Sequence, residues 1–251
     1  LVAYSRHIIT IFEKECAFYQ RFSDDVSYFG HPLTAMVASP SRDLNKPVER
    51  VLLFPGSRKQ ELKLYLRKML LVAKAMKTHA PEIGFELSLS SSTYKDCILS
   101  EIKTLGVDFV DVVESESKAA FLRSDLVLCA SGTATLEAIL YDVPMVILAA
   151  LPPLTYFIAK HVLRIHLPFV ALPNVVADKA VVREFVQKQM VVEAIVSEMN
   201  HLLSSSARKA LVVRYEAVKQ CLRGEKDPML RSEEHTSELQ SPCNLVCRLL
   251  L

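Results

Sequence analysis

From residue 51 onward, short apolar runs alternate with stretches in which apolar residues recur every three or four positions. The runs at 51–54, 85–89, 107–113, 126–129, 145–149 and 169–172 predict strands. Most are apolar on consecutive rather than alternate positions, which is what a strand covered on both faces requires. Between them, helical spacing predicts helices over 60–78, 94–105, 118–122, 133–141 and 154–165, with two more over 191–203 and 207–221 before Gly224 and Pro228 break the pattern. Strands and helices in strict alternation imply an α/β fold, a doubly wound parallel sheet with helices on both faces.

The ends of the chain depart from this rhythm. Residues 39–50 open polar and carry Pro40 and Pro47, which predicts a linker. Residues 1–38 then read as the remnant of another domain, and 51–230 as the main domain with its carboxyl-terminal helices. The stretch 231–251 has no continuity with the helices before it and resembles translated adapter sequence, so it is expected to be a non-native tail.

Composition narrows the function classes. With 51% hydrophobic side chains in 251 residues, a sizeable core is available. The balance of 30 Lys+Arg against 28 Asp+Glu gives no global field for nucleic acid. The six cysteines are scattered and are expected to be reduced thiols. Cys243 and Cys247 lack the second pair a zinc site needs, and no metal is expected. No basic leader and apolar block open the chain, so no signal peptide is expected, and the longest uncharged stretch, 143–159, is interrupted by three prolines. The candidate helix around Tyr156 to His166 sets Lys160 and Arg164 one turn apart. Such a helix either packs with a solvated basic face or lies on an anionic membrane surface.

Two strings carry candidate chemistry. Leu53-Phe54-Pro55-Gly56-Ser57-Arg58-Lys59-Gln60-Glu61 sets a strand, a tight turn and a helix start in succession. Gly56 lets a ligand come close to the backbone, a new helix offers N–H groups to an anion, and Arg58 adds a fixed cationic fork suited to phosphate. Cys129-Ala130-Ser131-Gly132-Thr133-Ala134-Thr135-Leu136-Glu137 repeats the design, with Ser131 as the expected helix N-cap. Glu137 follows about a turn later, either as an acceptor for a ribose diol or as a solvated helix charge. A nucleotide-type ligand at the carboxyl edge of the sheet is the expectation. The glycine series of a dinucleotide fingerprint and the P-loop lysine are missing, which removes hydride transfer and nucleotide hydrolysis. Asn174, in Leu172-Pro173-Asn174, is either a turn residue bonding locally or part of the site, and His31 in Phe29-Gly30-His31-Pro32-Leu33 reads as structural.

Taken together, Phe29 to Leu33, Leu53 to Glu61, Ala130 to Glu137, Pro153-Leu154-Thr155-Tyr156, Leu172-Pro173-Asn174 and Glu184 with Gln187 resemble, in order and spacing, the lipid-A-disaccharide synthases. That resemblance implies the carboxyl-terminal, Rossmann-like domain of a two-domain GT-B glycosyltransferase that inverts without metal or other cofactor. It implies transfer from UDP-2,3-diacylglucosamine to 2,3-diacylglucosamine 1-phosphate with release of UDP, in lipid A biosynthesis. The alternative is another GT-B enzyme acting on a UDP-N-acetylglucosamine compound. By resemblance, Arg58, Ser131, Gly132 and Thr133 hold the diphosphate, Glu137 the ribose, and Asn174, Glu184 and Gln187 line the cleft, while Gly56 and Ser57 in the first turn are expected to be substrate-binding as well. The catalytic base is expected in an amino-terminal domain whose motifs do not occur here, so this chain is expected to bind UDP without catalysis. The implied setting is cytoplasmic, peripheral on the inner face of the inner membrane, with no nucleic-acid partner and with a homodimer left open. Ala149 and Ala150 stand where the family usually shows Tyr and a basic residue, and Arg183 where it usually shows Pro.

Overall fold

The computed structural model describes residues 7–36, 42–89, 91–150 and 168–224. Two compact units emerge, divided after Ala38 and again between Tyr215 and Glu216. The expected helix over 154–165 and the tail from Arg231 lie outside the described residues.

In the smaller unit, strand β1 (Ile8–Thr10) runs parallel to β2 (Val26–Tyr28), with helix α1 (Glu13–Tyr19) between them and a single helical turn, α2 (Leu33–Met36), after. The chain returns to this unit at its far end. The Tyr28 hydroxyl donates to the Cys221 carbonyl at 2.7 Å, and the His31 amide donates to the Leu222 carbonyl at 2.8 Å. Gly30 has φ +105°, and a Cβ there would stand 2.6 Å from the Gly224 nitrogen, so both the dihedral and the backbone approach call for glycine.

Among the described residues, the larger unit is built on six parallel strands: β3 (Arg50–Phe54), β4 (Gly84–Leu89), β5 (Val110–Glu114), β6 (Leu126–Ala130), β7 (Met145–Ala149) and β8 (Glu184–Val186). Their order across the sheet is β5-β4-β3-β6-β7-β8. The chain thus starts at the centre, winds out to β5, then returns beside β3 and winds the other way. Every residue of β6 and β7 is buried, as the uninterrupted apolar runs require. The edge strand β5 instead exposes Asp111 and Glu114, charges that discourage pairing with another chain.

The crossovers are α3 (Lys59–His79), α4 (Lys95–Leu105), α5 (Ser117–Arg123), α6 (Ala134–Leu140) and, after β7, α7 (Leu172–Ala177), followed beyond β8 by α8 (Val192–His201) and α9 (Ser205–Leu222). On α3, Leu62, Tyr65, Leu66, Met69, Leu70, Ala73 and Met76 fall at helical spacing and are all buried. The doubly wound α/β architecture is therefore present, with one error in its last strand. Residues 169–172 form no strand; Leu172 begins α7, with Pro173 in its first turn. Proline cannot donate to a sheet ladder, but its fixed φ suits a helix start. The sixth strand is the short Glu184–Val186, whose two apolar residues were too few to register as a run.

The stretch expected as a linker is tied down from residue 42 onward. The Arg42 guanidinium, largely desolvated, donates to the carbonyls of Phe121, Ser124 and Tyr141. From the other side, Arg208 reaches the carbonyls of Leu44 and Lys46 as well as Leu202 and Leu203. Each arginine satisfies carbonyls that would otherwise lose their hydrogen bonds on burial.

Candidate functional site at the sheet switch point

β3 and β6 are hydrogen-bonded neighbours, with Phe54 in register with Cys129, and they mark the place where the winding reverses. Loops leaving two such strands diverge to opposite sides and leave a crevice at the carboxyl edge, where open α/β sheets take their ligands. Both glycine turns leave from these two strands. The structure therefore brings Gly56, Ser57, Arg58, Ser131, Gly132, Thr133 and Glu137 to one region.

The first turn is already occupied by the chain's own carboxylate. Gly56 adopts φ +97°, and a Cβ there would run into the Glu61 side chain. Glu61 Oε2 accepts from the Ser57 amide at 2.8 Å and from the Arg58 amide at 3.0 Å. This corrects the expectation of open N–H groups, because the N3 glutamate of α3 reaches back over them. What this turn offers an anion is the exposed Arg58 side chain.

The second turn differs. The Ser131 amide continues the ladder by donating to Leu148 at 2.8 Å, and the cap position of α6 is Thr133, without a side-chain cap bond. Ser131 is thus not the N-cap that was expected; its amide is still engaged by the neighbouring strand. The Gly132 carbonyl accepts from the Thr135 amide at 3.1 Å and hydroxyl at 2.6 Å. Among the described residues nothing accepts from the Gly132 or Thr133 amides. A Cβ at Gly132 would meet nothing within 4 Å, so no internal packing demands glycine there. The bare backbone faces open space.

Glu137 lies half-buried on α6, and its Oε2 accepts from the Ser117 hydroxyl at 2.5 Å. Its negative charge adds to burial in holding up the Tyr141 phenol and the Cys129 thiol, which stays protonated inside β6. At the same edge, the buried Tyr65 hydroxyl donates to the Ala150 carbonyl at 3.1 Å and accepts from its amide at 2.8 Å, fixing the exit of β7.

The remaining expected residues are placed differently. Asn174 is 1% exposed, and its side-chain amide bonds to the backbone: Nδ2 donates to Val182, and Oδ1 accepts from Val181 and Val182, all at 2.9 Å. The Glu184 carboxylate accepts from the Val170 amide at 3.1 Å and the Ala171 amide at 2.5 Å. Both border a cavity of about 540 Å³ beside β8, together with Arg183, Gln189, Glu198 and Arg214. Gln187 follows the last residue of β8, with φ +52°, and so stands at the carboxyl edge. His31, in the smaller unit, is 5% exposed, accepts at Nδ1 from the Leu33 amide, and packs against the Phe12 ring at 5.2 Å.

Sequence reading did not single out Ser117 or Tyr65. Ser117 lies 20 residues from its partner and Tyr65 lies 85 residues from Ala150, and no local pattern encodes either pairing. The capping role of Glu61 was not singled out either, although its signal is local: a carboxylate three residues after Arg58, the spacing of a capping box.

The sequence matches a family described as lipid-A-disaccharide synthetase over residues 1–234. The chain belongs to this family. The lipid-A-disaccharide synthase of Gloeothece citriformis (strain PCC 7424) is 30% identical over 229 residues, covering 88% of this chain and 59% of the relative. That of Coxiella burnetii (strain CbuK_Q154) is 33% identical over 212 residues, covering 80% and 54%. The chain thus spans somewhat more than half the length of the curated relatives it matches. Among solved structures, a mutant of S. aureus TarM superposes with a TM-score of 0.54 at 12% identity, over 94% of this chain and 44% of that one. The pneumococcal O-GlcNAc transferase GtfA, solved with UDP and GlcNAc, does so with a TM-score of 0.54 at 11% identity, over 93% and 45%. The shared feature at such identities is the fold, the α/β Rossmann-like arrangement of GT-B glycosyltransferases.

No helix among the described residues is long and apolar enough to cross a membrane.

Proposed function

We propose that the larger unit is the UDP-sugar-binding part of a lipid-A-disaccharide synthase. In that reaction, 2,3-diacylglucosamine passes from UDP-2,3-diacylglucosamine to 2,3-diacylglucosamine 1-phosphate, and UDP leaves. The observation that carries the reading is the pair of glycine turns issuing from adjacent strands β3 and β6 at the point where the winding reverses. The Arg58 guanidinium and the Gly132 and Thr133 amides supply positive charge where a departing diphosphate develops negative charge, and such preorganised donors lower the barrier to its departure. Glu137 takes the ribose hydroxyls, and Gln187 reaches the cleft from the end of β8. The acceptor sugar, the cytoplasmic face of the inner membrane as the place of work, and a second copy of the chain as partner belong to the same proposal.

Calorimetry with UDP and with uridine tests the reading. UDP is expected to bind and uridine to bind far more weakly, because the diphosphate supplies the charge-assisted contacts. Arg58→Ala is expected to cost about 1.5 to 3 kcal/mol of UDP affinity, the scale of one such bond. Equal affinity for UDP and uridine, or an unchanged Arg58→Ala variant, would remove the site from the switch point.

A further inference from the structure

Glu137 projects from α6 and Ser117 is the first residue of α5, and their side chains meet at the half-buried join of the two helices. We propose that Ser117 is a positioning residue that sets the carboxylate of Glu137 for a vicinal diol and so makes the site selective for ribonucleotides. This rests on the reading of Glu137 as the ribose acceptor.

A carboxylate on a glutamate has three torsions to fix, and its last torsion turns freely when nothing holds it. A hydroxyl owns a single proton, so once Ser117 donates that proton to Oε2 at 2.5 Å it holds one lone pair of one oxygen. Among the described residues nothing donates to Oε1. The carboxylate therefore presents a free oxygen together with the unused lone pair of Oε2, two acceptors side by side. Two neighbouring hydroxyls of a ribose are donors of matching spacing, whereas a deoxyribose supplies only one at that edge. The alternative role for the pair, a tie between α5 and α6, would act on stability alone.

The experiment compares UDP with 2′-deoxy-UDP on the full chain by calorimetry. The wild type is expected to favour UDP by about tenfold, the scale of one hydrogen bond to a charged group. Ser117→Ala is expected to bring that ratio close to one through weaker UDP binding, with 2′-deoxy-UDP affinity little changed. Ser117→Thr, which keeps the hydroxyl, is expected to restore the ratio. Should Ser117→Ala not fold, Ser117→Cys, nearly the same size with a weak donor, is expected to lower the ratio in its place. A ratio kept at the wild-type value in a folded Ser117→Ala or Ser117→Cys variant overturns the positioning role and leaves the helix tie. A wild type that binds UDP and 2′-deoxy-UDP equally overturns instead the assignment of Glu137 to the ribose on which the inference rests.

Discussion

Glu61 Oε2 stands 2.8 Å from the Ser57 amide nitrogen, placing a negative charge at the mouth of a turn proposed to face a diphosphate. The carboxylate orders the turn, yet its charge opposes the ligand. Glutamine at this position keeps an oxygen for the Ser57 and Arg58 amides and removes the charge. Glu61→Gln is therefore expected to tighten UDP binding by about threefold at low salt, with the gain shrinking as ionic strength rises. The thermal midpoint should move little. Weaker UDP binding at every salt concentration would show that the charge on Glu61 serves the ligand rather than opposing it.

Asn174 separates a structural role from a binding one. Its amide satisfies the Val181 and Val182 amides and the Val182 carbonyl just before β8, in a site that is 1% exposed. Alanine would strand those backbone groups, each worth roughly 1 to 3 kcal/mol when left unpaired in the interior. Asn174→Ala is expected to lower unfolding stability by about 3 kcal/mol, measured by denaturant titration, while the folded fraction keeps its UDP affinity. A stable variant with lost affinity would return Asn174 to the cleft.

The parts of the fold that were legible in the sequence are those with local signatures. Leu126 to Ala130 and Met145 to Ala149 are unbroken apolar runs between turn residues, so their burial on both faces could be read directly. Glu184 to Val186 could not, because three residues flanked by Arg183 and Gln187 show no periodicity, and only pairing with β7 makes them a strand. The same division holds at the site. Gly56 and Gly132 announce their turns through residue type, whereas Ser117 and Glu137 meet only after α5 and α6 are packed. Polar atoms that could serve a ligand are indistinguishable in sequence from those that serve the backbone, so the backbone bonds of Asn174 and Glu184 become visible only in the folded chain.

His31 gives the smaller unit a pH dependence. Burial pushes its imidazole below the usual value of about 6.5. The unfolded chain therefore takes up a proton at a higher pH than the folded one. Stability is fully present above the unfolded value and declines as pH falls through it toward the folded value. Asparagine offers an oxygen near the position of Nδ1 for the Leu33 amide and does not titrate. His31→Asn is expected to flatten the fall in thermal midpoint between about pH 7 and pH 5. An equal slope in wild type and variant would assign the acid sensitivity to other groups.

Catalysis gives the last prediction. An inverting transfer needs a base within hydrogen-bond reach of the acceptor hydroxyl, in addition to support for the leaving nucleotide. The carboxylates around the proposed site already have tasks: Glu61 accepts from the Ser57 and Arg58 amides, Glu184 accepts from the Val170 and Ala171 amides, and Glu137, held by the Ser117 hydroxyl, turns its remaining acceptors to the ribose in the proposed reading. A carboxylate held by such bonds is oriented toward its own partners and not toward an acceptor hydroxyl. The 251-residue chain is therefore expected to bind UDP and to form no disaccharide from the two acylated glucosamine substrates, assayed by product formation against a buffer blank. Fusing it to the amino-terminal segment of a longer family member should recover turnover. Disaccharide formed by the chain alone would mean that one of these carboxylates leaves its amide or hydroxyl partners during the reaction, and the Glu61→Gln, Glu137→Gln and Glu184→Gln variants would then identify which.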